Sequence, residues 1–276
     1  MRIDLHSHTN CSDGTDTPTE LFRRAARLGL DVLALTDHDT AVGWAEAAAA
    51  ADEVGVEFVP GIEISTSHRG RSVHLLAYGV DPEHPELAAM LHGIRGGRAG
   101  RLAAMLAKLA DLGVPVTEEQ VRRMQGDAPS LGRPHVADAL VEAGYVADRK
   151  EAFDRYLSDT GPAYVKRWAP GVAAAIAAVR AAGGLPVIAH PWGRGSREVL
   201  DADTLRGFVA AGLAGWEVDH NDHDPAQRAH LRELAAEAGV LTTGSSDYHG
   251  IGKYEHELGC NLTDPDVWEE IRHRIG

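Results

Sequence analysis

Nine histidine and carboxylate side chains stand beside apolar runs of this sequence, at positions spread over the whole chain. They are His6, His8, Asp13, His38, Glu63, His74, His190, Asp247 and His249. Imidazole suits Zn, Fe and Mn, whereas a carboxylate favours harder ions and can bridge two of them. Six histidines with three carboxylates therefore predict a cluster of metal ions rather than one tetrahedral site.

The apolar runs next to these residues predict seven β-strands separated by helices. The predicted strands are residues 3–5, 32–35, 56–59, 73–78, 185–189, 215–218 and 240–243. Helix signals fall between most of them, as at Thr17-Pro18-Thr19-Glu20, which combines an N-cap residue, a proline and a capping glutamate. A βα repeat of this length predicts an α/β fold whose parallel sheet forms a distorted seven-stranded (β/α)7 barrel.

Residues 82–168 interrupt the βα repeat, because helix patterns follow one another there without a strand. We interpret this segment as a helical insertion after the fourth strand that covers the substrate. The metal-binding barrel is then expected to consist of residues 1–81 and 169–276.

The predicted strands would bring the nine side chains to one rim, because active sites of βα barrels collect at the carboxyl ends of the strands. Side chains alternate along a strand, so His6 and His8 point to the same side and can share an ion. A single His-x-His or Asp-x-His motif is more often a hydrogen-bonded structural pair. Several such motifs at successive strand ends favour a joint metal centre.

The same motifs resemble the polymerase and histidinol phosphatase (PHP) superfamily. The resemblance is carried by His6-Ser7-His8-Thr9, Ser12-Asp13-Gly14, Thr36-Asp37-His38, Gly61-Ile62-Glu63, His74-Leu75, Ala189-His190-Pro191 and Ser246-Asp247-Tyr248-His249-Gly250. It implies a distorted seven-stranded barrel and a trinuclear site. By this resemblance the ligands divide into His6, His8, Glu63 and Asp247 for one ion, Glu63 with His74 and His190 for a second, and Asp13, His38 and His249 for a third.

This ligand set suits two or three divalent ions among Mn, Fe, Zn and Mg, with Mn favoured. Three divalent ions against three carboxylates leave about three positive charges, which attract phosphate in a protein of net charge −14. We therefore expect a hydrolase of phosphate esters in which a metal-bridging hydroxide attacks phosphorus. Asp247 is the expected proton acceptor, and His223 is a candidate for phosphate binding or for the leaving-group acid.

The insertion is expected to select the substrate. Residues 132–137, 151–157 and 162–165 resemble the PHP subgroup that acts on nucleotides, including phosphatases of nucleoside 3′,5′-bisphosphates and 5′–3′ exonucleases on short RNA. Arg133 offers a bidentate phosphate contact and His135 a donor, both at the start of a predicted helix. Alternatively, both residues only cap that helix. We interpret His220, which departs from the aromatic usual in the family, as a surface residue.

Other functions share parts of this pattern. A histidinol-phosphate phosphatase would use the same ligands, but the insertion with Arg133 and His135 disfavours it. A C–N hydrolase of the amidohydrolase type often has a modified lysine after the fourth strand, where this chain has His74 and its first lysine is Lys108. A non-catalytic metal-binding module of a polymerase would need an attached polymerase, and these 276 residues contain none. We predict a metal-dependent phosphoesterase acting on small nucleotide phosphomonoesters, such as the 3′-phosphate of nucleoside 3′,5′-bisphosphates.

Composition limits the class of protein further. At 276 residues and 44% hydrophobic, the chain can form one large core with an inserted subdomain. The apolar runs are too short to span a bilayer, and Cys11 and Cys260 lie far apart, so a reducing cytoplasm is the expected location. The acidic net charge disfavours a nucleic-acid coat protein or a membrane-surface protein. The expected partner is a small phosphorylated substrate, a nucleotide or short RNA, with no obligate protein partner.

Overall fold

The computed structural model describes residues 1–125, 131–158, 160–165, 168–252 and 255–276. The chain divides into two compact units: residues 1–91 with 169–276, which we name the barrel unit, and residues 92–168, which we name the helical unit. The predicted boundary lies between residues 81 and 82, whereas the division lies between residues 91 and 92, within a helix that begins at Pro85. The role of residues 82–168 as a substrate cap stays a prediction.

The barrel unit contains a sheet of seven strands, which are neighbours in the order in which they occur in the chain. The strands are β1 Ile3–Asp4, β2 Val32–Leu35, β3 Glu57–His68, β4 Arg71–Tyr78, β5 Leu185–Ile188, β6 Gly215–Asp219 and β7 Leu241–Gly244. A parallel bridge between Ser7 and Tyr248 joins the segments that follow β1 and β7, so the sheet is nearly closed. The prediction of a distorted seven-stranded barrel is confirmed.

Strand β4 runs antiparallel to both β3 and β5, whereas the other neighbouring strands are parallel. The prediction of a parallel sheet was therefore wrong at β4. The cause is a tight hairpin: Arg69 and Gly70 have φ angles of 45° and 84°, the left-handed backbone that a two-residue turn requires. As a result, β3 is longer than predicted, and Glu63 lies within it rather than after it.

The reversed direction of β4 decides where His74 lies. The first half of β4 reaches the rim formed by the carboxyl ends of the parallel strands, because the strand enters the sheet from that side. The backbone N–H of Ala189, just after β5, donates to the carbonyl of His74 at 3.1 Å. His74 is thus level with the carboxyl end of β5.

Ten α-helices occur in the described residues. They are α1 Pro18–Arg27, α2 Trp44–Val54, α3 Pro85–Asp111, α4 Glu118–Gln125, α5 Arg133–Glu142, α6 Arg149–Ala152, α7 Val172–Ala181, α8 Ala202–Ala210, α9 Pro225–Ala238 and α10 Pro265–Ile275. Helix α1 begins with the predicted capping box, in which Thr17 and Glu20 each accept from the other's backbone N–H. No helix among the described residues has both the length and the apolarity needed to cross a membrane.

Each unit has its own apolar core. One cluster of the barrel unit joins strand residues to α10 and includes Ile3, Val32, Leu76, Val187 and Trp268. A second cluster packs α1 and α2 on the outer face of β2. The helical unit buries its own set, including Leu109, Val121, Val136, Leu140 and Leu157. The barrel core packs against most strands of the sheet, which defines where the side chains at their ends lie.

Candidate metal centre

His6 and His8 follow β1, and their rings converge on one point together with Glu63 and Asp247. The Nε2 atoms of the two histidines lie 3.0 Å apart. They lie 3.3 and 3.2 Å from Oε2 of Glu63, and each lies 3.4 Å from Oδ1 of Asp247. All four side chains are buried. Four ligand atoms thus surround one small volume.

Hydrogen bonds on the far side of both rings determine which nitrogen faces this volume. His6 Nδ1 lies 3.1 Å from Oε1 of Glu217, a carboxylate that only accepts, so Nδ1 carries a proton. His8 Nδ1 lies 3.4 Å from Ser12 Oγ, whose hydroxyl donates to Asp37, so this Nδ1 also donates. Both Nε2 atoms therefore direct lone pairs at the same point, which a proton or a cation must occupy. This donor set fits a divalent ion.

Glu63 directs its two oxygens toward different histidines. Oε2 also lies 3.0 Å from His38 Nδ1, while Oε1 lies 2.8 Å from His74 Nδ1 and 3.3 Å from His190 Nε2. The β3–β4 hairpin creates part of this arrangement, because Ser65 on β3 pairs with His74 on β4. A carboxylate with ring nitrogens on both oxygens can bridge two ions.

Asp13, His38 and His249 form the third group. His249 Nε2 lies 3.4 Å from Asp13 Oδ1, and His38 Nε2 lies 3.6 Å from Asp13 Oδ2. His249 Nδ1 donates to the carbonyl of Asp247 at 2.9 Å, which leaves the Nε2 lone pair facing Asp13. The Asp13 side chain is 48% exposed, whereas Glu63 and Asp247 are buried. This group is therefore the part of the centre most open to solvent.

The clustering shifts the pKa values of its members. Burial alone would raise the pKa of Glu63 and Asp247, but the surrounding histidines lower it well below the ordinary value. Burial also disfavours charge on His8, yet its hydrogen bonds to these two carboxylates raise its pKa to about 9. Burial dominates at His38 and lowers its pKa to about 3. The carboxylates are thus ionised at neutral pH, and a bound cation competes with protons.

The structure therefore brings all nine predicted ligands together in the barrel unit. Three overlapping sets of their nitrogen and oxygen atoms are close enough to hold an ion: His6, His8, Glu63 and Asp247; His38, Glu63 and His74; and His8, Asp13, His38 and His249. These sets agree with a metal-dependent enzyme. How many ions bind, and of which element, stays a prediction.

Two side chains behind the ligands were missed or misinterpreted at the level of sequence. Glu217 is fully buried in β6 and accepts from His6, and a carboxylate inside an apolar strand was the available signal. His220 is also fully buried, with Nε2 3.3 Å from Asp247 Oδ2, so its interpretation as a surface residue was wrong. The loop after β6 folds inward because Arg228 donates to the carbonyls of His220 and His223.

His223 is buried, and backbone groups engage both of its ring nitrogens. Nδ1 lies 3.0 Å from the carbonyl of Val218, and Nε2 accepts from the N–H of Trp192 at 3.2 Å. Burial lowers the pKa of His223, which favours the neutral ring. These bonds connect two loops beside the centre. A role for His223 in phosphate binding or proton donation stays a prediction.

Arg133 and His135 lie at the start of α5 in the helical unit. Arg133 donates to the carbonyl of Leu157 at 2.9 Å, and its guanidinium lies 5.7 and 5.6 Å from the ring centroids of Phe153 and Tyr164. His135 Nδ1 accepts from the N–H of Gly132 at 3.0 Å, an N-terminal capping contact. The His135 contact is the one that the capping alternative predicts, whereas the Arg133 contacts do not cap α5. Phosphate binding by the two residues stays a prediction.

Known proteins resemble this chain in both sequence and structure. Residues 4–108 match the model of the PHP domain. A 3′,5′-nucleoside bisphosphate phosphatase from Chromobacterium violaceum is 36% identical over 277 residues, which cover 99% of this chain and 97% of that protein. The chain belongs to the PHP family.

Two further relatives match over nearly the full length. A 5′–3′ exoribonuclease from Haemophilus influenzae is 36% identical over 274 residues, which cover 98% of this chain and 99% of that protein. The crystal structure of a candidate metal-dependent phosphoesterase from Bifidobacterium adolescentis has a TM-score of 0.89 at 40% identity and covers 99% of this chain and 96% of its own. The predicted family, barrel and class of phosphate-ester hydrolase are confirmed.

Proposed function

We propose that this PHP protein hydrolyses phosphomonoesters of small nucleotides, with nucleoside 3′,5′-bisphosphates as the preferred class. The observation that carries the proposal is the sharing of Glu63 between two sets of ring nitrogens, one on each carboxylate oxygen. Two or three divalent ions held in this way, with Mn favoured, would neutralise charge on the phosphate oxygens and activate water. The free thiols of Cys11 and Cys260 suit the cytoplasm, which we propose as its location.

Within this proposal the chain supplies ligands, a proton acceptor and phosphate contacts. The nine ligands divide into the three sets implied by the family resemblance. Asp247 is the proposed proton acceptor, because it is ionised and Oδ1 faces the other ligands while Oδ2 faces away. Arg133 and His135 are the proposed phosphate contacts, because both lie at the start of α5, where backbone N–H groups favour anions.

The names of the relatives support a nucleotide substrate. One full-length relative is named for nucleoside 3′,5′-bisphosphates and another for 5′–3′ exoribonuclease activity, at the same identity to this chain. Exonuclease action on short RNA is therefore the second candidate. Both substrates present a phosphate on a nucleoside, so both would use the same centre.

One substrate panel tests the proposal. The purified protein is loaded with Mn²⁺ and assayed for phosphate release from adenosine 3′,5′-bisphosphate, AMP and histidinol phosphate, and for nucleotide release from short 5′-phosphorylated RNA. The bisphosphate should have the highest kcat/KM. A Glu63→Gln variant controls for contaminating phosphatases. Activity on histidinol phosphate alone would overturn the nucleotide proposal, and RNA degradation without bisphosphate hydrolysis would favour the second candidate.

A further inference from the structure

His220 contacts the metal centre although it is not among the nine ligands. It follows β6, is fully buried, and places Nε2 3.3 Å from Oδ2 of Asp247. The other oxygen of Asp247, Oδ1, faces His6 and His8 at 3.4 Å. The two oxygens of this carboxylate therefore face different groups, with His6 and His8 near Oδ1 and the imidazole of His220 near Oδ2.

The backbone determines the tautomer of His220. The N–H of Asp222 donates to His220 Nδ1 at 3.0 Å, so this nitrogen carries no proton. In the neutral ring the proton is then on Nε2, which donates to Asp247 Oδ2. His220, Asp247 and His256 are close enough to resemble a metal site. His220 cannot be a ligand in this arrangement, because one ring nitrogen already accepts a hydrogen bond and the other carries the proton.

The loop that carries His220 is held by contacts that involve no metal ligand. Arg228 donates to the His220 carbonyl at 2.7 Å and to the His223 carbonyl at 3.2 Å. The ring of His223 bonds to the backbone of Val218 and Trp192. His220 is therefore positioned by the fold and can in turn position the carboxylate that it contacts.

We propose that His220 is a positioning residue for Asp247. Its Nε2–H holds Oδ2, so that only Oδ1 is directed at the set formed with His6, His8 and Glu63. A carboxylate held in this way binds through one oxygen and does not need to be ordered when the ion arrives. Partners of this kind typically change metal affinity or activity by about 10- to 100-fold when they are removed. The proposal refines the metal centre on which the proposed function rests.

Two polar substitutions of His220 separate positioning from packing. In His220→Gln the amide nitrogen can reach the place of Nε2 and still donate to Asp247. In His220→Asn the shorter amide reaches only the place of Nδ1. The dissociation constant for Mn²⁺ is measured on ion-free protein by electron paramagnetic resonance of free Mn²⁺. The Asn variant should bind about 10- to 100-fold more weakly, and the Gln variant should stay within about threefold of the wild type.

Substitutions of exposed His273 on α10, to Gln and to Asn, are the matched controls and should bind Mn²⁺ as the wild type does. Equal affinity of the Gln and Asn variants of His220, whether retained or lost, would overturn the proposal. A measurement on the unmodified chain covers the case in which a variant fails to fold. The ¹⁵N chemical shifts of the His220 ring should report a proton on Nε2, and a proton on Nδ1 alone would refute the proposal.

Neither readout uses a phosphorylated substrate. An incorrect assignment of the substrate would therefore leave the Mn²⁺ affinities and the ¹⁵N shifts as expected. Conversely, wild-type Mn²⁺ affinity in His220→Asn, together with bisphosphate hydrolysis by the wild-type protein, would reject the role of His220 and keep the proposed function.

Discussion

Replacing Glu217 with glutamine should weaken metal binding and lower the thermal stability of the protein. Glu217 is fully buried, and three donors converge on its carboxylate. Oε1 accepts from His6 Nδ1 at 3.1 Å and from the hydroxyl of Ser245, while Oε2 accepts from the N–H of His190 at 2.8 Å. Burial would raise the pKa of Glu217, but the charge of His6 outweighs it and lowers the pKa to about 2.

The expected magnitude follows from these contacts. A glutamine has one acceptor oxygen, so in either orientation its NH₂ group meets the donor of His6 or of His190. One buried donor without an acceptor costs about 1–3 kcal/mol. The pKa shift from 4.5 to about 2 independently corresponds to roughly 3 kcal/mol at neutral pH. Because this pKa is lowered, the contribution is present above pH 4.5 and is lost as the pH falls toward about 2.

Two measurements on Glu217→Gln test this reasoning. The Tm should fall by roughly 5–10 °C. The Mn²⁺ dissociation constant should rise by about 10- to 100-fold, because His6 loses the carboxylate that orients its ring. Glu233→Gln on α9, which removes an exposed carboxylate, is the matched control and should change neither value. If Glu217→Gln also retains the wild-type Tm and affinity, Glu217 does not orient His6.

Three other outcomes are expected. Glu63→Gln should reduce the number of ions bound per chain, because both carboxylate oxygens of Glu63 lie close to histidine ring nitrogens. Inductively coupled plasma mass spectrometry measures this number, and an unchanged metal content would contradict the bridging role of Glu63. Arg133→Ala should raise KM with little change in kcat, and unchanged constants would refute phosphate binding at α5. Its Tm reports separately on the lost contact with Phe153 and Tyr164. The apparent affinity for Mn²⁺ should rise with pH up to about 9. The pKa of His8 is about 9, so at lower pH this histidine holds a proton that the ion must displace. An affinity that does not change with pH between about 6 and 9 would contradict this competition.

The strands were predictable where their sequences are continuously apolar, as in β2 and β5. The β3–β4 hairpin was not, because Pro60 and Gly61 are residues that usually end a strand, yet β3 continues through both. The signal that could have identified it is the alternation of Ile62 and Ile64 with polar residues before Arg69-Gly70. Strand direction depends on that turn, and a two-residue turn leaves little trace in hydrophobic periodicity.

The metal-site motifs were recognisable because each contains ligand residues next to or within a strand, although His74 reaches the rim only because β4 is antiparallel. The surrounding hydrogen-bond partners were not. His220 stands in a loop rich in histidine and aspartate, which suggests exposure, yet it is buried and contacts Arg228, Asp222 and Asp247. A local sequence pattern does not reveal which side of a loop is buried. Tertiary hydrogen bonds therefore determine which of His220 and His223 reaches Asp247.

The nearly closed sheet has a seam between β1 and β7, where the backbone N–H of His8 donates to the carbonyl of Tyr248 at 2.8 Å. His6 and His8 lie on one side of this seam, and Asp247 and His249 lie on the other. An ion bound across it would connect opposite ends of the sequence, as a cross-link does when it closes a very long loop. The set of His6, His8, Glu63 and Asp247 comes from the segments around β1, β3 and β7, so the refolding chain could gain this connection only after these three parts have met. Metal binding would then depend on contacts between the first and the last strand of the sheet.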